Sequence, residues 1–170
     1  MKLFPATAIL VLSIFNSAKI FCQDFKVPEN YVFNTKDDYD KYEKDVINCV
    51  NWIENTPISQ DAETRTRANA FIMKWVTGSP TVSLTLNDKI ISKITANNPQ
   101  LLIFFIGGWT RYSLENNYSR DKVKGTCAGL KCLVNVYKKG IGVNKDKDID
   151  KLVDIIDKDE LENWVIKNLR

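Results

Sequence analysis

Carboxylates are the only side chains in this sequence that could supply both an acid and a base for catalysis. The chain has no histidine, which excludes Ser-His-Asp and Cys-His catalysis, histidine-ligated zinc and the usual pH switch. No spacing fixes a pair of carboxylates at the separation that glycoside hydrolysis requires. No catalytic residue is therefore assigned, and a small carboxylate-dependent hydrolase is kept as an alternative function. Its candidate acids are Glu63, Glu115, Asp159, Glu160 and Glu162.

A mixed aromatic and charged helix face is the candidate binding surface. Trp109 is followed at helical spacing by Arg111, Tyr112 and Glu115, and exposed aromatic and arginine side chains are typical of binding sites. The alternative is a buried Trp109 and Tyr112 beside an ordinary Arg111–Glu115 pair, worth about 0.3–0.5 kcal/mol. The other three tryptophans lie on apolar helix faces, which favours packing in the core. They are Trp52, Trp75 and Trp164.

Three cysteines follow the first 22 residues, and an odd number leaves at least one thiol free or paired between chains. Cys127 and Cys132 lie about 140° apart around a predicted helix, so they should not pair with each other. A disulfide from Cys49 to either of them fits an oxidising compartment. The alternative is that all three are buried small hydrophobic residues, and the sequence leaves the pairing open.

Residues 1–22 are typical of a secretory signal peptide. Lys2 precedes an apolar run, residues 6–15, that is too short to span a membrane. Cleavage fits after Ala18 or, as we prefer, after Cys22. Lipoprotein acylation of Cys22 is disfavoured by the bulky Phe21 before it, and an uncleaved anchor is the remaining alternative. We therefore expect a periplasmic or secreted protein with no transmembrane segment in the mature chain.

Composition and charge argue against nucleic acid as a partner. Removing Lys2 and Lys19 with the signal peptide lowers the formal net charge from +3 to +1. Basic and acidic residues alternate along most of the chain, which indicates a solvated surface, whereas nucleic-acid binding needs a clustered basic stripe. No motif predicts a metal site or a cofactor.

Hydrophobic periodicity predicts an all-α fold, a compact bundle of six or seven helices. Residues 23–34 are expected to form an extended arm and residues 35–170 a single helical domain. A short extended segment near 81–87 has alternating apolar residues but no obvious partner strand, so it is expected to be a packed loop and not part of a sheet. Glycines at 107, 108, 125 and 129 are expected to allow close helix approach, with a kink as the alternative for the first two. Helices are predicted near 36–54, 60–77, 88–96, from 99 onward, and near 120–139, 147–157 and 159–169.

A glycine turn should separate the helices near 120–139 and 147–157. Gly140 suits the end of a helix, Gly142 allows a second unusual backbone angle, and Val143 should plug the gap between the helices. Asp146 or Asp148 can cap the second helix. With Leu133 and Tyr137, these glycines and Val143 resemble one Sel-one-like repeat, a relative of the tetratricopeptide repeats. The resemblance covers residues 129–156, and no second copy follows at the expected interval, whereas repeat stacks need about three.

The whole chain resembles small secreted helical proteins of Bacteroidota that have no assigned function. The cleavage before Gln23 and the segments NWIENTP, KWVTGSP and GGWT carry this resemblance, which implies secretion and a helical fold but no activity. We expect an exported, non-enzymatic protein that binds a protein, a peptide or an envelope component. The hydrolase and an inhibitor or immunity-type protein are the alternatives, and neither the ligand nor the oligomeric state is predicted.

Overall fold

The computed structural model describes residues 25–169, so the predicted signal peptide lies outside the described part. Within residues 25–169 every regular element is helical, which confirms the all-α prediction. Eight α-helices are present there, against the six or seven predicted, and Pro99–Leu101 form a 3₁₀ turn ahead of the fifth. The helices are α1 (Lys36–Lys41), α2 (Glu43–Asn55), α3 (Ala62–Gly78), α4 (Asp88–Thr95), α5 (Leu102–Glu115), α6 (Lys122–Lys138), α7 (Lys147–Asp157) and α8 (Leu161–Leu169).

The additional helix comes from a break at Tyr42, where the sequence predicted one helix over 36–54. Thr35 and Asp38 begin α1 with a reciprocal capping box. At Tyr42 the backbone leaves the helical region (φ −104°, ψ 7°), and its N–H bonds to the Tyr39 carbonyl at 3.1 Å, a tighter 3₁₀ pattern. The Tyr42 ring then packs edge-on against Phe33, with 5.6 Å between ring centroids. A contact with the N-terminal arm thus accompanies the break.

The N-terminal arm has no regular secondary structure, yet it packs on the helices. Phe25 stacks on Trp52 of α2, with ring centroids 4.8 Å apart. Further along, Tyr31 meets Phe71 of α3 edge-on at 4.8 Å, and Val27 is buried. The arm therefore covers an aromatic part of the core that the helices alone would leave open.

The crossing of α5 and α6 forms the centre of the molecule and confirms the predicted close approach. A Cβ added at Gly129 would lie 2.6 Å from the Phe105 carbonyl oxygen, and one at Gly108 would lie 2.8 Å from the Ala128 carbonyl oxygen. Backbone thus meets backbone at this crossing. Only glycine at these two positions allows such an approach without displacing one of the helices.

The turn between α6 and α7 is hydrogen-bonded to the segment that joins α4 to α5. Gly140 and Gly142 both have left-handed backbone angles, with φ of +69° and +75°. The buried Asn98 side chain donates to the Asn144 carbonyl at 2.9 Å and accepts from the Asn144 N–H at 2.7 Å. Val143 packs against the core, as its apolar character in a polar loop predicted. The turn is therefore fastened by long-range hydrogen bonds.

The start of α7 is fixed by a second group of hydrogen bonds. Of the two aspartates proposed as its cap, Asp146 is the one used, since its side chain accepts from the N–H groups of Asp148 and Ile149. The Asp146 N–H donates to the Tyr137 hydroxyl at 2.8 Å, and that hydroxyl donates to Asp150 Oδ1 at 2.8 Å. Each glycine-turn residue identified from the sequence thus has a structural role.

Candidate functional site

Trp109 lies in the core. Its side chain is 2% exposed and packs edge-on against Phe105, with ring centroids 5.9 Å apart. The indole lies directly over Gly125, where an added Cβ would overlap Nε1. No partner could reach Trp109 in this conformation, so it corresponds to the buried alternative stated above.

Arg111 is part of a polar network around the buried Glu54 that the sequence did not predict. It pairs with Glu54 of α2 at 2.7 Å instead of with Glu115, and it also donates to Asn51 Oδ1 at 2.5 Å. Glu54 is 7% exposed, and its second carboxylate oxygen accepts from Asn135 of α6 at 2.9 Å. A buried carboxylate is tolerated only with such partners. The network therefore ties α2, α5 and α6 together, and Glu115 is left exposed in solvent.

Tyr112 borders a pocket of about 300 Å³ that also collects two of the candidate acids. Asp159 and Glu162 both line this pocket, beside Lys124 and Lys131 of α6. Glu162, whose side chain is 50% exposed, is paired with Lys124 at 2.6 Å. Asp159 is also exposed. The pocket therefore lacks a carboxyl group that is shielded from water, as a general acid requires.

The other candidate acids do not join this pocket. Glu63 lies on the exposed face of α3, 4.0 Å from Arg67, and its side chain is 85% exposed. Glu160 is exposed just before α8 and accepts the Trp164 N–H through its backbone carbonyl. The structure thus brings together two of the five predicted acids.

A second pair of neighbouring carboxylates, missed in the sequence analysis, lies where α1 meets α2. Burial raises the pKa of the Glu43 carboxyl group, and the charge of the neighbouring Asp40 adds to the shift. Tyr118 donates to Glu43 Oε2 at 3.2 Å and Lys36 pairs with Asp40. Oxygens Oδ1 of Asp40 and Oε1 of Glu43 are buried without a partner among the described residues. The only sequence signal is the three-residue spacing of the acids.

The three cysteines of the described part are free and buried, as the alternative without disulfides expected. Burial raises the pKa of the Cys49 thiol to about 12 and that of Cys127 to about 11. It also raises the pKa of Cys132, where the nearby Glu54 adds to the effect. Neutral thiols are poor nucleophiles and poor metal ligands, so these residues act as small packing groups.

A groove lies between α3, α5 and the segment that joins α3 to α4. It has two parts, of about 400 and 370 Å³, which share Met73 of α3 and Ile106 of α5. No charged side chain lines either part. We call this feature the α3–α5 groove. Its lining residues are Asn69, Ala70, Met73, Val76, Thr77, Ser79, Val82, Ser83, Leu84, Leu86, Pro99, Gln100, Leu102, Ile103 and Ile106.

Two of the most exposed large apolar side chains lie in this groove. Met73 is 39% exposed and Leu86 is 43% exposed. Other exposed apolar side chains, such as Ile166 on α8 at 37%, stand apart from it. Single exposed hydrophobic residues are ordinary, whereas a contiguous uncharged groove is typical of a binding site.

The wall of the groove formed by residues 79–87 is shaped by local hydrogen bonds at its two ends. After α3 stops at Gly78, the Ser79 hydroxyl accepts from the N–H groups of Thr81 and Val82, at 3.3 and 3.1 Å. At the far end the Asn87 side chain accepts from the Ile90 N–H at 3.2 Å and begins α4. The intervening residues run without helix or strand, as predicted for 81–87. These bonds thereby fix the two ends of the segment beside α3.

The sequence did contain a signal for this groove. Val82, Leu84 and Leu86 alternate like one half-buried strand, yet the fold offers the segment no partner strand within residues 25–169. A segment of this kind without a neighbouring strand keeps unpaired main-chain N–H and C=O groups. The exposure of Met73 could not be predicted from the sequence, because it depends on how α3 and α5 pack against each other.

Comparisons with protein-family models, curated proteins and solved structures find no match to this chain. Among the described residues, no group of three or more cysteine, aspartate or glutamate side chains is placed to hold a metal ion. No helix in residues 25–169 is both long enough and apolar enough to cross a membrane.

Proposed function

We propose that this chain is an exported, non-enzymatic binding protein that holds an apolar segment of a protein or peptide partner in the α3–α5 groove. The observation that carries the proposal is the uncharged lining of the groove together with the exposure of Met73 and Leu86. Burial of these side chains by a partner would release their hydration water, which is the main driving force of such association. Export is proposed from the sequence of residues 1–22.

The size of the groove sets the affinity that this function can have. Filling it with three apolar side chains gains roughly 1.5–3 kcal/mol for each. Association costs at least about 4 kcal/mol in lost freedom. The net gain is at most about 5 kcal/mol, which corresponds to a dissociation constant of roughly 0.2 mM or weaker. Tighter binding therefore requires main-chain hydrogen bonds to the peptide or contacts beyond the groove.

The hydrolase alternative has less support. Asp159 and Glu162 do share a pocket, but the pairing of Glu162 with Lys124 and its exposure suit a solvated surface. An inhibitor or immunity-type role is compatible with the groove, since its partner would be the inhibited protein.

The proposal is tested by selecting random decapeptides, displayed on phage, against the mature protein. Tight binders should carry several apolar residues and should lose at least tenfold in affinity with Met73→Lys or Leu86→Lys. Ile166→Lys is the matched control, because Ile166 is 37% exposed on a helix and lies outside the groove. Peptides that bind all four proteins equally, or a selection that yields no binder, would contradict the proposal.

A further inference from the structure

The conformation of the partner can be inferred from the backbone that lines the groove. Residues Ser83–Leu86 form no backbone hydrogen bond with any other described residue. On either side of this run some groups do have partners: the Thr81 and Val82 N–H groups donate to Ser79, and the Asn87 carbonyl accepts from α4. The main-chain donors and acceptors of residues 83–86 have no partner among the described residues.

From Val82 to Thr85 the side chains alternate between buried and exposed. Val82 is 4% exposed and Leu84 is partly buried against the core, whereas Ser83 and Thr85 are exposed, and Leu86, 43% exposed, ends the alternation. Ser83, Leu84 and Leu86 line the groove, so the free backbone of the run borders it. Free main-chain groups of this kind can pair with another extended chain.

The absence of charge in the groove restricts the chemistry of the occupant. Because no charged residue lines the groove, a charged side chain placed there would lose its hydration without gaining an ion pair. An uncharged segment is therefore favoured.

We propose, on the basis of the function proposed above, that the partner is an uncharged peptide segment that binds in extended form. It adds as a strand beside Ser83–Leu86, and every second side chain enters the groove over Met73 and Ile106. Main-chain hydrogen bonds then supply affinity independent of sequence, and the apolar lining selects neutral, hydrophobic side chains. An amphipathic helix in the groove would leave the backbone of residues 83–86 unpaired.

The experiment is an N-methyl scan of the tightest decapeptide selected on the wild-type protein, synthesised with blocked ends. N-methylation removes one main-chain donor at a time and leaves the side chains in place. Strand addition predicts at least tenfold weaker binding at alternate positions and little change at the positions between them. It also predicts slower amide hydrogen exchange at alternate residues of Ser83–Leu86 when the unmodified peptide is bound.

The outcomes separate this inference from the function on which it rests. Binding that depends on Met73 but is lost on N-methylation at every interior position would show a helical partner, because each main-chain N–H beyond the first turn of a helix is hydrogen-bonded within it. That result overturns strand addition and leaves groove binding intact. A second copy of the chain pairing through Ser83–Leu86, seen as a dimer that the peptide does not dissociate, would also overturn it. A selection that yields no groove-dependent peptide overturns both proposals.

Discussion

Two adjacent glycines in α5 should respond in opposite ways to the same substitution. Gly107→Ala and Gly108→Ala each gain about 1 kcal/mol of helix propensity relative to glycine. Both positions are buried, and both substitutions restrict the unfolded chain equally. Any difference between the two variants therefore reports what the added methyl group meets in the folded protein.

The surroundings of the two methyl groups differ. At Gly107 the nearest atoms are the Val50 methyl groups, at 3.1 and 3.3 Å, and a side chain can move by the few tenths of an ångström required. At Gly108 the methyl group would lie 2.5 Å from Cys132 Cβ and 2.8 Å from the Ala128 carbonyl oxygen. Backbone atoms of α6 cannot move without separating the helices, and such overpacking costs about 1–3 kcal/mol or more.

We therefore expect Gly107→Ala to be neutral or to stabilise by up to about 1 kcal/mol, and Gly108→Ala to destabilise by about 1–2 kcal/mol. The difference of about 2 kcal/mol corresponds to about 4–8 °C in Tm for a domain of this size. Urea and thermal unfolding followed by far-ultraviolet circular dichroism measure both quantities. Equal effects of the two variants would refute the close crossing of α5 and α6.

Three further predictions concern the packing of the described helices. Arg65→Ala should destabilise by about 2–4 kcal/mol in urea unfolding, because Arg65, 7% exposed, donates to the carbonyls of Ile53, Thr56 and Pro57 at the end of α2. Arg65→Lys should recover only part of this stability, since lysine lacks the planar guanidinium that reaches all three carbonyls. Full recovery with lysine would contradict this role of the guanidinium. Tyr137→Phe should cost about 1–3 kcal/mol and speed amide exchange in residues 139–146, and unchanged exchange would show that the hydroxyl does not hold the turn. Cys49, with a pKa of about 12 against an ordinary 9.0, should resist iodoacetamide at pH 8 in the folded protein and react in urea. Fast labelling of the folded Cys49 thiol would refute its burial. Because the pKa of this thiol is raised in the folded protein, the stability that the buried neutral thiol contributes is complete below pH 9 and is lost as the pH rises towards 12.

The helices could be predicted because periodicity and capping are local. Asp146, one of the two aspartates predicted as a cap, begins α7 through its side chain. Thr35 and Asn87, which are residue types that favour such caps, begin α1 and α4 in the same way. The break at Tyr42 could not be predicted, since it accompanies contacts with Phe33, which precedes the helix, and Phe71 on α3. Local signals thus determine where most helices start, and distant contacts determine where they bend.

The candidate site was less predictable, because exposure depends on pairs of distant residues. Trp109 looked like part of a surface until Gly125, on the next helix, provided the space that buries it. Arg111 lies within helical reach of Glu115, yet it pairs with Glu54 from another helix. The α3–α5 groove exists because two helices diverge, and only the unpaired strand pattern of residues 82–86 indicates it in the sequence.

The central claim is that a partner occupies the α3–α5 groove, and Met73 provides a direct probe of it. The chain has two methionines, Met1 and Met73, so mature protein labelled with carbon-13 at the methionine methyl group reports on the groove through one signal. Adding the selected decapeptide should shift the Met73 methyl resonance, and the dissociation constant obtained from this shift should equal the one measured by calorimetry. The same agreement is expected for the wild type and for Ile166→Lys. Calorimetric binding that leaves this resonance unmoved would contradict the claim.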